Sequence, residues 1–164
     1  MAAGDFLQRQ GTAVTWRDSG GDAALTFASL ANGAGRKGVS ADFGATFPVW
    51  VRVELFCQFG TAPTAGNPVS VYWASSYDNS NWDGALASAD AAASDTDIHK
   101  QLHFVGVLPV DNQNTGRQQT SWVFRLPARY GFPVVYNGSG QSFTATASHH
   151  GINVVPLIDQ YQSS

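Results

Sequence analysis

Glutamate occurs once in this 164-residue chain, at Glu54, and every other acidic side chain is an aspartate. A chain short of Glu lacks a common surface residue of helices, whereas Asp favours turns, so the imbalance points away from a helical protein. Charged residues make up 13% of the sequence, about half the usual share. With 12% aromatics beside them, this argues against disorder and for a packed β-protein with adhesive surfaces. The single cysteine, Cys57, excludes an intramolecular disulfide, and its inward place in a strand pattern makes it a small buried hydrophobe, not a reactive thiolate. Net charge is −3 and the arginines form no basic run, which argues against nucleic-acid binding. The N-terminus lacks the basic-then-apolar profile of a secretion signal, and no apolar run approaches the roughly 20 residues of a membrane span. The expectation is a soluble protein made in the cytoplasm.

What is present is strand periodicity. Val49, Val51, Val53, Leu55 and Cys57 fall on one face of a segment whose other face carries Trp50, Arg52, Glu54 and Phe56. After the turn-rich stretch Gly60 to Pro68, Val69, Val71 and Trp73 resume the alternation, and the whole of 47–77 reads as a β-hairpin. Further strands are expected at 12–17, 24–30, 39–43, 102–108, 122–126, 132–136, 143–147 and 152–158, with Asn137-Gly138-Ser139-Gly140 as a hairpin turn before Phe143. Leu102, Phe104 and Leu108 are placed on one face. Val51, Leu55, Val71, Trp73, Phe104, Trp122 and Phe124 are the expected core. The fold class is all-β: a single-domain β-sandwich of about eight strands over 12–164, preceded by an extended N-terminal arm, 1–11, whose anchors are Phe6 and Leu7.

Motifs that promise chemistry do not hold together. In Ala31 to Gly38 the lysine precedes its glycine and a strand follows, the reverse of a phosphate loop. Ser75 to Gly84 reads as a self-satisfied turn closed by Trp82, against a sugar-stacking or calcium site using Asp78 or Asp83. Ala85 to Asp97 has one large apolar residue, Leu86, so a surface loop is expected there. His99 and His103 are too far apart on a strand to share an ion, and His149-His150 reads as an exposed turn. The Asn137-Gly138-Ser139 sequon is read as a turn, and no nucleophile and base pair up. No metal, no cofactor and no catalytic residue are expected.

The order of features resembles a known class. Ser76 to Trp82 forms Ser-x-Asp-x-x-x-Trp; Leu102-His103-Phe104-Val105-Gly106-Val107-Leu108, Leu126-Pro127-Ala128-Arg129-Tyr130-Gly131 and Val-Val-Tyr-Asn-Gly-Ser-Gly-Gln at 134–141 follow. The series is similar to jelly-roll virion proteins of tailed bacteriophages, including capsid decoration or cement proteins, over roughly residues 47–158. The resemblance implies jelly-roll topology, a non-enzymatic role, a major capsid protein or other virion protein as partner, and the virion as location. A homo-oligomer is expected, with no membrane and no nucleic acid as partner. Phe6, Leu7, Arg9, Trp82 and Leu86 are the candidate contacts, with the Gly60–Pro68 and Ala85–Asp97 loops beside the arm. The same hairpin tip occurs in discoidin-like sandwiches, so the alternative is a carbohydrate-binding module in which Trp82 and Tyr77 stack on sugar.

Overall fold

Apolar residues at every second position give strands with one buried face, and two such faces must find each other. The computed structural model describes residues 6–94, 96 and 100–161, with backbone alone at 6–8 and 159–161. In chain order the strands are β1 (Phe6–Gln10), β2 (Val14–Arg17), β3 (Ala23–Ala24), β4 (Ala34–Lys37), β5 (Ala41–Asp42) and β6 (Trp50–Cys57). They continue as β7 (Pro68–Ser76), β8 (Ala91–Ala93), β9 (His103–Pro109), β10 (Gln118–Arg125), β11 (Tyr130–Asn137) and β12 (Gly151–Tyr161). They form an all-β sandwich of two six-stranded sheets. One runs β10-β6-β12-β2-β3 with β1 added on β12; the other runs β8-β4-β11-β7-β9 with β5 added on β11.

Eight of these strands carry the architecture, and their pairing is nested. β2 pairs with β12, β4 with β11, β6 with β10 and β7 with β9, all antiparallel. Two further ladders, β12 with β6 and β11 with β7, complete the sheets. The segment 47–77 is therefore not a hairpin. β6 and β7 lie in different sheets, and the loop between them carries the chain across the roughly 10 Å that separates two packed sheets. Nor does Asn137-Gly138 turn a hairpin: β11 and β12 are again in opposite sheets, and Phe143 makes only an isolated bridge to Phe59. Asn137 is fully buried, its amide donating to the Leu30 and Gln141 carbonyls at 2.9 and 2.8 Å while its oxygen accepts the Ser139 N–H and hydroxyl. Those bonds fix the connection and leave the sequon asparagine no free amide hydrogen.

The main core lies between the sheets and contains Trp16, Val51, Val53, Leu55, Val71 and Trp73 among its fully buried members. Trp122 and Phe124 pack against its margin. Phe104 does not belong to it. The ladder between β7 and β9 shifts register between Val71 and Tyr72, so β9 has an extra residue there, and a one-residue insertion reverses side-chain parity. Phe104 is turned to the outer face, 58% exposed, where it stands edge-on to Tyr72 at 5.5 Å.

A second, smaller cluster covers the outer face of the β11–β7 sheet. Trp82 and Leu86 from the long loop after β7 pack with Ala93 of β8 on Ala74, Phe132 and Val134. The stretch expected to lack a packing face thus finds one, because small residues on β7 and β8 leave room for a tryptophan, whose ring centre is 4.8 Å from that of Phe132.

Candidate functional site

Strand registers define two ends of the sandwich. Trp50, Ser76, Tyr130 and Leu157 lie at one end; Phe56, Val69, Asn137 and Gly151 lie at the other. At the first end β12 runs on past its last partner on β6, and its residues 157–161 pair with β1 in register Phe6↔Tyr161 to Gln10↔Leu157. The result is a two-stranded ribbon of backbone projecting from the sheet. The expected arm is thus tied by its backbone to the chain's own last strand from residue 6 onward. Arg9 is exposed on it, while residues 1–5 and the side chains of Phe6 and Leu7 lie outside the described residues.

At the base of the ribbon sits an apolar groove of about 540 Å³, lined by Phe43, Pro48, Val49, Trp50, Pro156 and Ile158 among others. Val49, Trp50 and Ile158 are 52, 45 and 41% exposed, so they form an apolar surface beside backbone edges that have no strand partner among the described residues. Parity already set Trp50 opposite the core valines; what the sequence pattern missed is that Ile158 joins it from a distant position and that Val49, expected on the core face, precedes β6 and is exposed beside it. A second strip, Phe104, Val107 and Val123, borders the edge where β9 and β10 come together.

Of the other expected contacts, Trp82 and Leu86 are only 9 and 8% exposed, because both are used within the chain, in the cluster on the β11–β7 sheet. The Gly60–Pro68 loop lies at the end opposite the ribbon, where Thr64 N–H donates to the Ser139 carbonyl and Gly66 N–H to that of Val110. It cannot share one contact surface with the arm. Of the proposed sugar platforms Tyr77 is 79% exposed, its hydroxyl donating to the Pro127 carbonyl, and Trp82 is buried.

The tip 76–81 is self-satisfied. Asp78 Oδ1 accepts the Ser80 and Asn81 N–H groups and the Ser76 hydroxyl, and Oδ2 accepts the Asn81 amide at 2.7 Å. These bonds, the Asn81 ones foremost, hold the Asp78 carboxyl well below the usual range. Ser75, Asp83 and His103 come together without making a hydrolytic triad. Asp83 Oδ2 accepts the Ser75 N–H at 2.9 Å and the Ser75 hydroxyl, and lies 3.3 Å from His103 Nε2. A nucleophilic serine needs the imidazole between itself and the carboxylate, whereas here the carboxylate is in the middle. His103's expected neighbour His99 lies outside the described residues. His150, expected exposed, is fully buried: its Nε2 is 2.9 Å from the Thr144 carbonyl and its Nδ1 accepts the Gln58 N–H at 3.4 Å. Burial pushes the Cys57 thiol up to about 12, out of reach of thiolate chemistry. Among the described residues no group of three or more His, Cys, Asp or Glu could hold a metal ion, and no helix is long and apolar enough to cross a membrane. No family model and no curated protein matches the chain.

Proposed function

We propose that the protein is a non-enzymatic structural component of a tailed-phage virion, of the capsid decoration or cement kind, which attaches to the major capsid protein or another virion protein and associates with copies of itself. The observation that carries this reading is the projecting β1–β12 ribbon with the exposed Val49, Trp50 and Ile158 at its base. Unpaired strand edges beside an apolar surface suit attachment by strand addition, with main-chain hydrogen bonds for affinity and apolar pockets for register. A stable contact takes about 800 Å² per partner, an area that a ribbon together with a groove can supply. The nested pairing, first main strand with eighth, second with seventh, third with sixth, fourth with fifth, is the order of a rolled-up hairpin and supports jelly-roll topology, an architecture shared by viral capsid and lectin domains. Burial of Trp82 removes one of the two platforms that the carbohydrate-binding alternative requires.

The test is sedimentation velocity of the intact protein, a deletion of residues 1–10 and the double variant Trp50→Asp, Ile158→Asp, each alone and with candidate capsids. The intact protein is expected to self-associate or co-sediment with capsids and both variants to lose this while keeping strand-type circular dichroism. An intact protein that is monomeric and binds no capsid overturns the proposal.

A further inference from the structure

At the end of the sandwich away from the ribbon, two arginines share one aromatic ring. Phe56 points outward from β6; the Arg117 guanidinium carbon lies 4.0 Å and that of Arg17 4.8 Å from its ring centre. Arg17 reaches Phe56 only because of what stands between them. In register, Arg17 of β2 falls beside Gly151 of β12, which pairs with Phe56 of β6, so the arginine crosses a whole strand over a residue with no side chain. A Cβ at Gly151 would lie 2.8 Å from Arg17 Cδ and Cζ and closer still to Nη1.

The donors of the two arginines are unequally spent. Arg17 Nη1 donates to the Trp16 and Ile152 carbonyls at 2.7 and 2.8 Å and Nη2 to Asn153 Oδ1, which fixes the group and leaves Nε–H and one Nη2–H over. Arg117 is exposed and makes no hydrogen bond or ion pair among the described residues, so its donors are all available. Nearby carboxylates are engaged elsewhere: Glu54 with Arg52 at 2.8 Å and the Asn153 amide at 3.0 Å, Asp22 with the Thr15 N–H and hydroxyl. Between the arginines opens a pocket of about 390 Å³ lined also by Ser19, Gly20, Ala147 and Ser148, with no carboxylate in its wall. The Ser19 and Ser148 hydroxyls have no protein partner among the described residues.

We propose that this pocket binds a tetrahedral oxyanion, a phosphate or sulfate group, either free or carried on a sugar. In a protein of net charge −3 two neighbouring cations without a carboxylate between them are a local cost that an anion removes. Guanidinium groups arriving from β2 and from the loop before β10, with two hydroxyls beside them, offer more donors than the two oxygens of a carboxylate can take, and a tetrahedral group has the oxygens to use them. Phe56 is 7% exposed under its arginines, so the ring serves to hold the cations and not as a sugar platform.

Isothermal titration calorimetry of the full chain at constant ionic strength decides the matter, with inorganic phosphate, sulfate, glucose 6-phosphate and acetate as probes. Phosphate and sulfate are expected to bind, with acetate at least tenfold weaker. Glucose 6-phosphate binding more tightly than phosphate supports a sugar-borne group, and equal binding supports the free ion. Arg117→Gln, at an exposed position that leaves the fold intact, is expected to weaken phosphate about tenfold or more, the worth of a charge-assisted hydrogen bond. Gly151→Ala, which displaces Arg17 without changing charge, is expected to do the same. Phosphate heats indistinguishable from those of chloride, acetate binding as tightly as phosphate, or an Arg117→Gln protein that binds like the parent would each overturn the assignment.

Discussion

Gly131 and Trp73 give the sharpest test of the packing. Gly131 is held in β11 between Ser75 of β7 and Ala41 of β5, and a Cβ built on it would meet Trp73 Cε2 and Cζ2 at 2.5 Å. Carbon atoms pack at about 3.5–4.0 Å, so ring or strand has to move by about 1 Å. Neither has room: Trp73 is fully buried, edge-on to Trp16 at 5.7 Å and flanked by Phe43 and Phe124 at 5.9 and 6.1 Å. Overpacking costs about 1–3 kcal/mol, and with a doubly paired strand on one side we expect Gly131→Ala to fall near 3. Trp73→Ala alone costs about 3–5 kcal/mol. The lower end is expected, because Trp73 Nε1 is buried without an acceptor and its deletion removes a desolvated donor. In the double variant the new methyl enters the vacated space, and Gly131→Ala becomes neutral or stabilising by about 0.5 kcal/mol, since Ala loses less backbone freedom than Gly. The cycle should therefore show a coupling of about 3 kcal/mol in urea unfolding followed by far-ultraviolet circular dichroism. Additivity within about 0.5 kcal/mol would refute the reasoning, because it would mean that Gly131 and the indole do not compete for the same volume.

His150 makes stability pH-dependent. Burial foremost holds its pKa below the usual value of about 6.5, against the Thr144 hydrogen bond and Asp18, so the unfolded chain takes up the proton first. Its contribution is complete above that value and is lost as pH falls through the folded pKa; the melting temperature should drop on acidification below pH ~6.5, and less so in His150→Gln, which keeps a donor and an acceptor but does not titrate. Ala85 has φ 54°, in the left-handed region that costs an L-residue roughly 1–2 kcal/mol. Ala85→Gly should raise the melting temperature by about 2 °C in a scan, net of glycine's entropy, and an unchanged or lower value would show that the turn holds no strain.

The fold class was legible because it needs only a period of two and turn residues between runs. Val51, Leu55, Val71 and Trp73 fell in the core for that reason. Sheet membership was not legible. The alternation at Val69 to Trp73 looks the same whether the strand pairs with its predecessor or faces it across the core, and only the β6–β10 and β7–β11 ladders decide. Phe104 failed through a bulge, which leaves no mark on a hydrophobic pattern. Leu86 was judged by its own segment, whereas its packing face is supplied by Phe132, nearly fifty positions on. Arg17, Gly151 and Phe56 form one row across three strands and Arg117 reaches over Phe56 from the loop before β10, although no two of them are neighbours in sequence.

The nested pairing also sets an order in time. The innermost pair, β7 with β9, joins segments close in sequence, while Trp16 must wait for Ile152. Loop-closure entropy grows with separation, so the chain should zip from its middle outward, with the outermost ladder closing last. Val71→Ala should then slow refolding in stopped-flow, and Val154→Ala should mainly speed unfolding. Until that last ladder forms, β12 is missing between β2 and β6, and the β6 edge it leaves bare is the place where another chain's strand can enter.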